Sequence, residues 1–586
     1  MKLPGFREVW CVDFEFRQLP GELPTPICVV TTELNSSRWV RLFTNEMPST
    51  APYSTDDDSL FIAFAASADL LCHLALGWEL PTHVLDLFAE FRVITNSIDK
   101  VDQRASLLSA LSYFHIPHIT SGQKDQMRSL SERGGPWTES ERASLLRYCE
   151  SDVVALPALL EKLFDQKFLA QALERGRYTK AVARMEATGI PIDIEMLSEL
   201  RTRWDDIRLD LISEVDRDYY VFDGMHFRYD QFTRYIDQRK ISWPRTPTGK
   251  PCLDDETFRD MALAYPHLNP LRQLRATLSS MKLESLSVGR DGRNRTPLKP
   301  FSSLASRNQP STSKFIFGPA TWLRYLIRSR PGNAMAYIDY CQQEFAVAAV
   351  LSGDSAMQAA YLSGDPYLQF AMQAGAAPLD ATRETDGTIR DLYKTAALAV
   401  MYGMTAKGLS VRIGKSEVDA QRILNDHRRA YPQFWKWSDR LISHVQLEGT
   451  YATRSGWRVR RNSLKLSDHH KRSLRNFPVQ STGADILRLA CCLATERGIK
   501  ICAPVHDAVL IEAPTSEINT AVAAMREAMA EAGKSVLGGF EIRTETKVFL
   551  DRFEDPRGES TWRLVNELLA RSRPGPEQYS FLGVAG

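Results

Sequence analysis

Asp13 and Glu15 stand two apart in the run VWCVDFEF, whose remaining residues are apolar. Residues i and i+2 of a β-strand share a face, so both carboxylates point the same way. Like charges on a buried face repel, and a divalent cation with hard oxygen ligands is the commonest way to relieve them. Alone, the pair fits an exposed strand face equally well. Tyr148 and Asp152, four apart in ERASLLRYCESDVVALPALLEKLF, put a phenol and a carboxylate on one face of a predicted helix. Asp69 lies among small residues in the amphipathic segment AFAASADLL.

A second set of chemical residues occupies the C-terminal half. The strand-like run AMAYI delivers Asp339 and leads into a predicted helix containing Glu344, while ICAPVHDAVLIEAP sets His506 and Asp507 between two apolar runs, a hairpin with a charged turn. Between them, RDLYKTAALAVMYGM repeats Arg390, Lys394, Leu398 and Tyr402 at every fourth residue, followed by Gly403. On a helix this makes one drifting stripe, basic at its start and aromatic at its end. Such a stripe suits a triphosphate, with two cations meeting its charge and the apolar end covering a base; taken singly, the helix reads as an amphipathic surface helix.

These residues need elements to hold them. The runs around Asp13 and ICVVTTEL predict two strands separated by the turn LPGELPTP. FIAFAASADLLCHLAL has helical periodicity, and the segment bearing Tyr148 predicts a helix whose start, Thr138 followed by Glu141, fits a capping box. With 586 residues, the chain is long enough for three or four compact units. Its 44% hydrophobic and 25% charged residues exclude a disordered or collagenous chain. Nine scattered cysteines without a C-x-x-C pair argue against a disulfide framework or structural zinc, and no stretch approaches a membrane span; a reducing, cytoplasmic setting is expected.

The formal charge is only +1, yet two windows are strongly basic: Gly289 to Arg330, with nine Lys/Arg against Asp291, and Arg454 to Arg475, with eight against Asp468. Each suits phosphate contacts, and the first fits a solvated linker as well. Residues 171 to about 285 read as charged amphipathic helices, a gripping arm or a connector.

D-x-E on a first strand, a middle Asp and Y-x-x-x-D on a late helix resemble, in order, the DEDDy proofreading 3′–5′ exonucleases. The resemblance implies an α/β, RNase H-like domain in which Asp13, Glu15, Asp69 and Asp152 hold two metal ions and Tyr148 orients the attacking water. DYCQQE, R-x-x-x-K-x-x-x-L-x-x-x-YG, RNFPVQSTGADI and VHD resemble the motifs of family A DNA polymerases, the bacterial DNA polymerase I class, in a phage-like branch without a 5′ nuclease domain. That implies an α+β right hand of palm, fingers and thumb acting on primer-template DNA and deoxynucleoside triphosphates. It also implies a pair of Mg²⁺ ions at each site, with Mn²⁺ as a substitute. Asp339 and Asp507 would hold the polymerase metals and Glu344 would crowd the sugar 2′ position. Arg390 and Lys394 would bind phosphates, with Lys394 as general acid, while Leu398 and Tyr402 would meet the nascent pair. His506 would touch the primer terminus, and Arg472, Asn476 and Gln480 would monitor the minor-groove side; Arg293 and Arg295 are candidates for primer-template contact.

The resemblance implies an exonuclease domain over 1–170, a thumb over 171–300, and palm and fingers over 301–586 with fingers near 355–470. Three positions depart from the pattern: Ala65 where the exonucleases have Asn, Leu398 where the polymerases have an aromatic, and Ala508 where Glu often follows the motif Asp. The expected activity is template-directed DNA synthesis with 3′–5′ proofreading, in phage genome replication. An exonuclease joined to an inactive polymerase-like platform, and a non-catalytic DNA-binding scaffold, are the competing classes.

Overall fold

The structure is a computed structural model describing residues 3, 5–98, 106–246, 248–280, 283–318, 320–461 and 466–571. Residues 462–465 of the second basic window and residues 572–586 of the expected polymerase region lie outside the described residues. The chain forms two compact units, Met1–Gly189 with Pro297–Gln309 and Gly332–Val548, and Ile190–Thr296 with Pro310–Pro331 and Phe549–Gly586.

In the first unit the apolar run around Asp13 forms strand β1 (Glu8–Arg17), followed by β2 (Thr25–Glu33), β3 (Trp39–Phe43), β4 (Ser59–Ala63) and β5 (His83–Asp86). The sheet order is β3-β2-β1-β4-β5, antiparallel from β3 to β1 and parallel from β1 to β5. Helices α1 (Ser67–Leu76), α2 (Ser121–Arg133), α3 (Glu139–Leu163) and α4 (Leu169–Thr188) accompany it. Alternation along β1 divides the core. Val9 and Cys11 pack with Leu145, Cys149 and Val153 of α3, whereas Trp10, Val12 and Phe14 pack with Leu70 and Cys72 of α1.

One sequence expectation is overturned here: in FIAFAASADLLCHLAL the helix begins only at Ser67, and the FIA triplet belongs to β4. Every residue of β4 is buried because it lies between two parallel neighbours, and a short apolar run of that kind cannot be told from a buried helix by periodicity. The chain turns from strand to helix at Ala65, whose φ is 60° and whose N–H donates to Asp86 Oδ1 at 2.9 Å. The expected cap of α3 is present: Thr138 Oγ1 accepts the Glu141 N–H at 3.2 Å, and Glu141 Oε2 accepts the Thr138 N–H at 2.8 Å.

Four further strands of the same unit, β6 (Asn333–Tyr340), β7 (Ile501–Val505), β8 (Ala508–Pro514) and β9 (Thr544–Phe549), form a sheet in the order β7-β8-β6-β9. Helices α5 (Gln343–Ser352), α6 (Arg383–Met401), α7 (Asp468–Glu496) and α8 (Ile518–Val536) complete the region around it. The sheet is anchored from its back by Tyr340, whose hydroxyl donates to the Met529 carbonyl of α8 at 2.7 Å.

The second unit is largely helical, with a core around Phe232, Trp243, Phe258 and Leu271. Much of the first basic window lies in this unit, and part of its charge is met by acids of the chain. Arg295 forks onto Asp291 at 2.8 and 2.6 Å, Arg324 pairs with Asp555 at 2.8 Å, and Arg328 with Asp551 at 2.7 Å.

Candidate functional site

β7 and β8 form a hairpin, and its two-residue turn is His506–Asp507, with His506 at φ 58°. β8 pairs antiparallel with β6 so that Ala508 stands opposite Asp339, and the Tyr340 N–H donates to the Asp507 carbonyl at 3.3 Å. This register brings the carboxyls of Asp339 and Asp507 within hydrogen-bonding reach of each other. Burial, then the charge of Asp507 and that of Glu545, push the Asp339 carboxyl up to about 7; burial also raises Asp507. Asp339 Oδ1 is buried without a hydrogen-bond partner.

Glu344 lies in the first turn of α5, where Tyr402 donates its hydroxyl to Oε2 at 2.7 Å and Gln480 of α7 donates its amide to Oε1. Leu398 and Tyr402 are half-buried and Lys394 is exposed on α6, as their spacing on one stripe predicts. Arg390 is different: it is 6% exposed, its guanidinium fixed by Asp365 and by Asp391. Gly403 follows with φ 66°, and a Cβ there would come within 3.2 Å of Arg472 Cγ, so this turn requires glycine. Tyr402, Met404, His469, Arg472 and Asn476 line a cleft of about 520 Å³, and Asn476 Oδ1 is buried without a partner.

Arg307 was not singled out by sequence spacing, although it lies in the first basic window. Its charge acts on both Asp507 and Tyr402, which makes it a member of this site. Arg293 and Arg295 lie in the second unit, Arg295 locked to Asp291. Glu545 of β9 was likewise not anticipated, and its charge acts on Asp339.

The N-terminal carboxylates also converge. β1 pairs with β4 only as far as Cys11, so the Phe14 N–H beyond it has no strand partner on that side; Asp69 Oδ1 of α1 accepts it at 3.1 Å. Asp13 and Glu15 share the face turned toward α3, where the Cys149 thiol donates to the Asp13 carbonyl at 3.1 Å. Burial first, then Asp152, Asp69 and Glu15, hold the Asp13 carboxyl far above its ordinary range. Burial and the charge of Asp152 push Glu15 up to about 8, and burial pushes Asp152 up to about 6. Burial likewise raises Asp69, and burial and Asp152 raise the Tyr148 phenol. Ser131 of α2 donates to Glu15 Oε2 at 3.3 Å, and Lys124 of the same helix is the cation that opposes these shifts at Glu15 and Asp152. Neither residue carries a signal in the sequence.

Among the described residues no three His, Cys, Asp or Glu side chains form a ready-made metal cage in either place. Both places nevertheless fit a cation by another test. Asp13 Oδ2 and Asp339 Oδ1 are buried acceptors with no donor, each beside other carboxylates, and a cation supplies what such atoms lack.

The sheet that sets Asp339 and Asp507 at adjoining strand ends is shared with a polymerase of known structure. The POL domain of Pol1 from M. smegmatis, solved in complex with DNA primer-template and dNTP, superposes with a TM-score of 0.70 over 92% of this chain and 95% of that one, at 17% identity. Residues 320–549 match the model for DNA polymerase family A. It is 23% identical to DNA polymerase I of Aquifex aeolicus over 76% of this chain and 82% of the relative, and 28% identical to the DNA polymerase of Mycobacterium phage D29 over 50% and 49%. Several other bacterial relatives are about twice as long as the part this chain matches. Among the described residues no helix is long and apolar enough to cross a membrane.

Proposed function

We propose that the protein is a template-directed DNA polymerase with 3′–5′ proofreading, extending a primer with deoxynucleoside triphosphates in phage genome replication, within the host cytoplasm. The observation that carries the reading is the pair Asp339 and Asp507, brought together from segments far apart in sequence within the stretch that matches the family A model. The similarity to a phage polymerase supports the replication setting. We assign 1–170 to the exonuclease domain, 171–300 to the thumb, and 301–586 to palm and fingers.

Asp339 and Asp507 would hold two Mg²⁺ ions, or Mn²⁺; when bound, such ions activate the primer 3′-hydroxyl and stabilise charge on the leaving pyrophosphate. Lys394, exposed on α6, binds the triphosphate and delivers a proton from Nζ to the departing pyrophosphate oxygen. Arg390 meets the same phosphates from its buried mooring on Asp365. Glu344, braced by Tyr402 and Gln480, presents a wall to the sugar edge that excludes a 2′-hydroxyl. Leu398 and Tyr402 cover the nascent pair, while His506, Arg472, Asn476 and Arg307 hold the primer terminus and its minor-groove side.

At the other site Asp13, Glu15, Asp69 and Asp152 would hold the metal pair for phosphodiester hydrolysis, with the Tyr148 hydroxyl orienting water. What supports this is the mutual electrostatic coupling of the carboxylates and the partnerless Asp13 Oδ2.

The test is a labelled primer annealed to a longer template, incubated in Mg²⁺ with and without deoxynucleotides. Wild-type protein lengthens the primer when nucleotides are present and shortens it when they are absent. Asp339→Asn abolishes lengthening while degradation of single-stranded DNA continues, and Asp13→Ala does the converse. Shortening in both lanes at every nucleotide concentration would sink the polymerase reading; Asp13→Ala with undiminished shortening would sink the exonuclease assignment.

A further inference from the structure

Asp339 ends strand β6, which has a neighbour on each side. Toward β8 its paired residue is Ala508, which offers no side-chain oxygen. Toward β9 the Cys341 N–H donates to the Arg543 carbonyl at 2.8 Å, and counting two residues back along one chain and two forward along the other brings Asp339 beside Glu545. Paired residues of adjoining antiparallel strands project from the same face, so the two carboxylates share the face that Asp507 approaches.

The surroundings of Glu545 agree with this register. Its carboxylate is within hydrogen-bonding reach of the Cys341 thiol, and its charge is felt at both Cys341 and Asp339. Glu545 is exposed, and among the described residues it forms no ion pair with Lys or Arg. Two acids side by side without a cation are costly, and Asp339 Oδ1, buried with nothing to donate to it, marks the place where a cation is wanted.

We propose that Glu545 is a third carboxylate of the Asp339–Asp507 site and helps to bind its divalent cations. The proposal rests on the polymerase reading. It gives the site an acid from the outer strand β9, on the side of Asp339 away from Ala508.

The experiment uses the full-length chain carrying Asp13→Ala, so that metal binding at the N-terminal carboxylates is suppressed, with Mn²⁺ alone as the probe, followed by electron paramagnetic resonance of the free ion. Glu545→Gln is expected to weaken Mn²⁺ binding by about tenfold or more and to raise the Mg²⁺ concentration needed for half-maximal primer extension. Glu545→Asp keeps most of the affinity, and Lys547→Gln, an exposed change on the same strand, leaves it unaltered. Melting without metal checks integrity: removing a repelling charge leaves the transition of Glu545→Gln where it was or raises it. Unchanged Mn²⁺ affinity in both Glu545→Gln and Glu545→Ala would overturn the proposal. Mn²⁺ binding that is equally indifferent to Asp339→Asn would overturn the polymerase reading itself, and the proposal with it.

Discussion

On the proposed reading, protons and divalent cations compete for the same oxygen atoms of Asp339. With its carboxyl pushed up to about 7 by burial, Asp507 and Glu545, that competition falls within the working pH range. Below pH 7 the proton wins progressively, so the Mg²⁺ concentration for half-maximal extension rises as pH falls, toward roughly tenfold per unit for one titrating group. Extension rates measured across Mg²⁺ series at pH 6, 7 and 8 check this, and a requirement independent of pH would contradict it. Glu186 gives a different effect at the same scale. It is buried, Oε1 accepts the Leu298 N–H at 2.7 Å, and burial pushes its carboxyl up to about 8. An unfolded glutamate titrates near 4.5, so the folded chain holds an extra proton between those values. The resulting stability is fully present below pH 4.5 and is lost as pH rises through 8. Glu186→Gln retains the acceptor and lacks the titration, so its unfolding free energy rises relative to wild type between pH 5 and pH 8, by on the order of 1–3 kcal/mol.

Helix α4 lies so close to β5 that a Cβ on Gly176 would sit 1.8 Å from the Val84 carbonyl oxygen. Backbone cannot retreat as a flexible side chain can, so Gly176→Ala should cost about 2–4 kcal/mol in thermal or denaturant unfolding, despite alanine's better helix propensity. The elements themselves were legible where one local rule governs them. The alternating run of β1 and the capping box of α3 follow from neighbours a few residues away, and so does the four-residue stripe of α6. β4 was misread because burial on both faces erases periodicity. Arg307, Glu545 and Lys124 were illegible for another reason: each joins its site through strand order or helix docking, which brings together residues distant in sequence. Arg390 was recognised from its spacing, but its clamp on Asp365 lies in a different helix cap and leaves no trace in that stripe.

The N-terminal sheet and the β6–β9 sheet belong to one compact unit, and the contacts between their surroundings are specific. Arg175 forks onto Glu90 at 2.6 and 2.7 Å and gives its remaining nitrogen to the Ser455 carbonyl at 3.0 Å, with both charged side chains less than a tenth exposed. Glu90→Ala would strand a buried guanidinium, and about 3–5 kcal/mol should be lost from unfolding stability, whereas exposed pairs such as Arg128–Glu132 should contribute under 1 kcal/mol. The second basic window takes part in this junction: Arg460 donates to the Val93 carbonyl at 2.9 Å and the Ser97 hydroxyl accepts its backbone N–H at 2.7 Å. Asn96 donates to the carbonyls of Leu304 and Arg458 at 2.9 and 2.7 Å, and Arg92 donates to those of Phe301 and Ser302, each at 3.3 Å. These hooks bear on how a synthesis-only version could be engineered. Trimming away the first 170 residues would strip the donors from five carbonyls, those of Phe301, Ser302, Leu304, Arg458 and Arg460, so a shortened chain would arrive with an unhealed wound. On the proposed reading, changing the single acid Asp13 would silence excision and leave the seam closed.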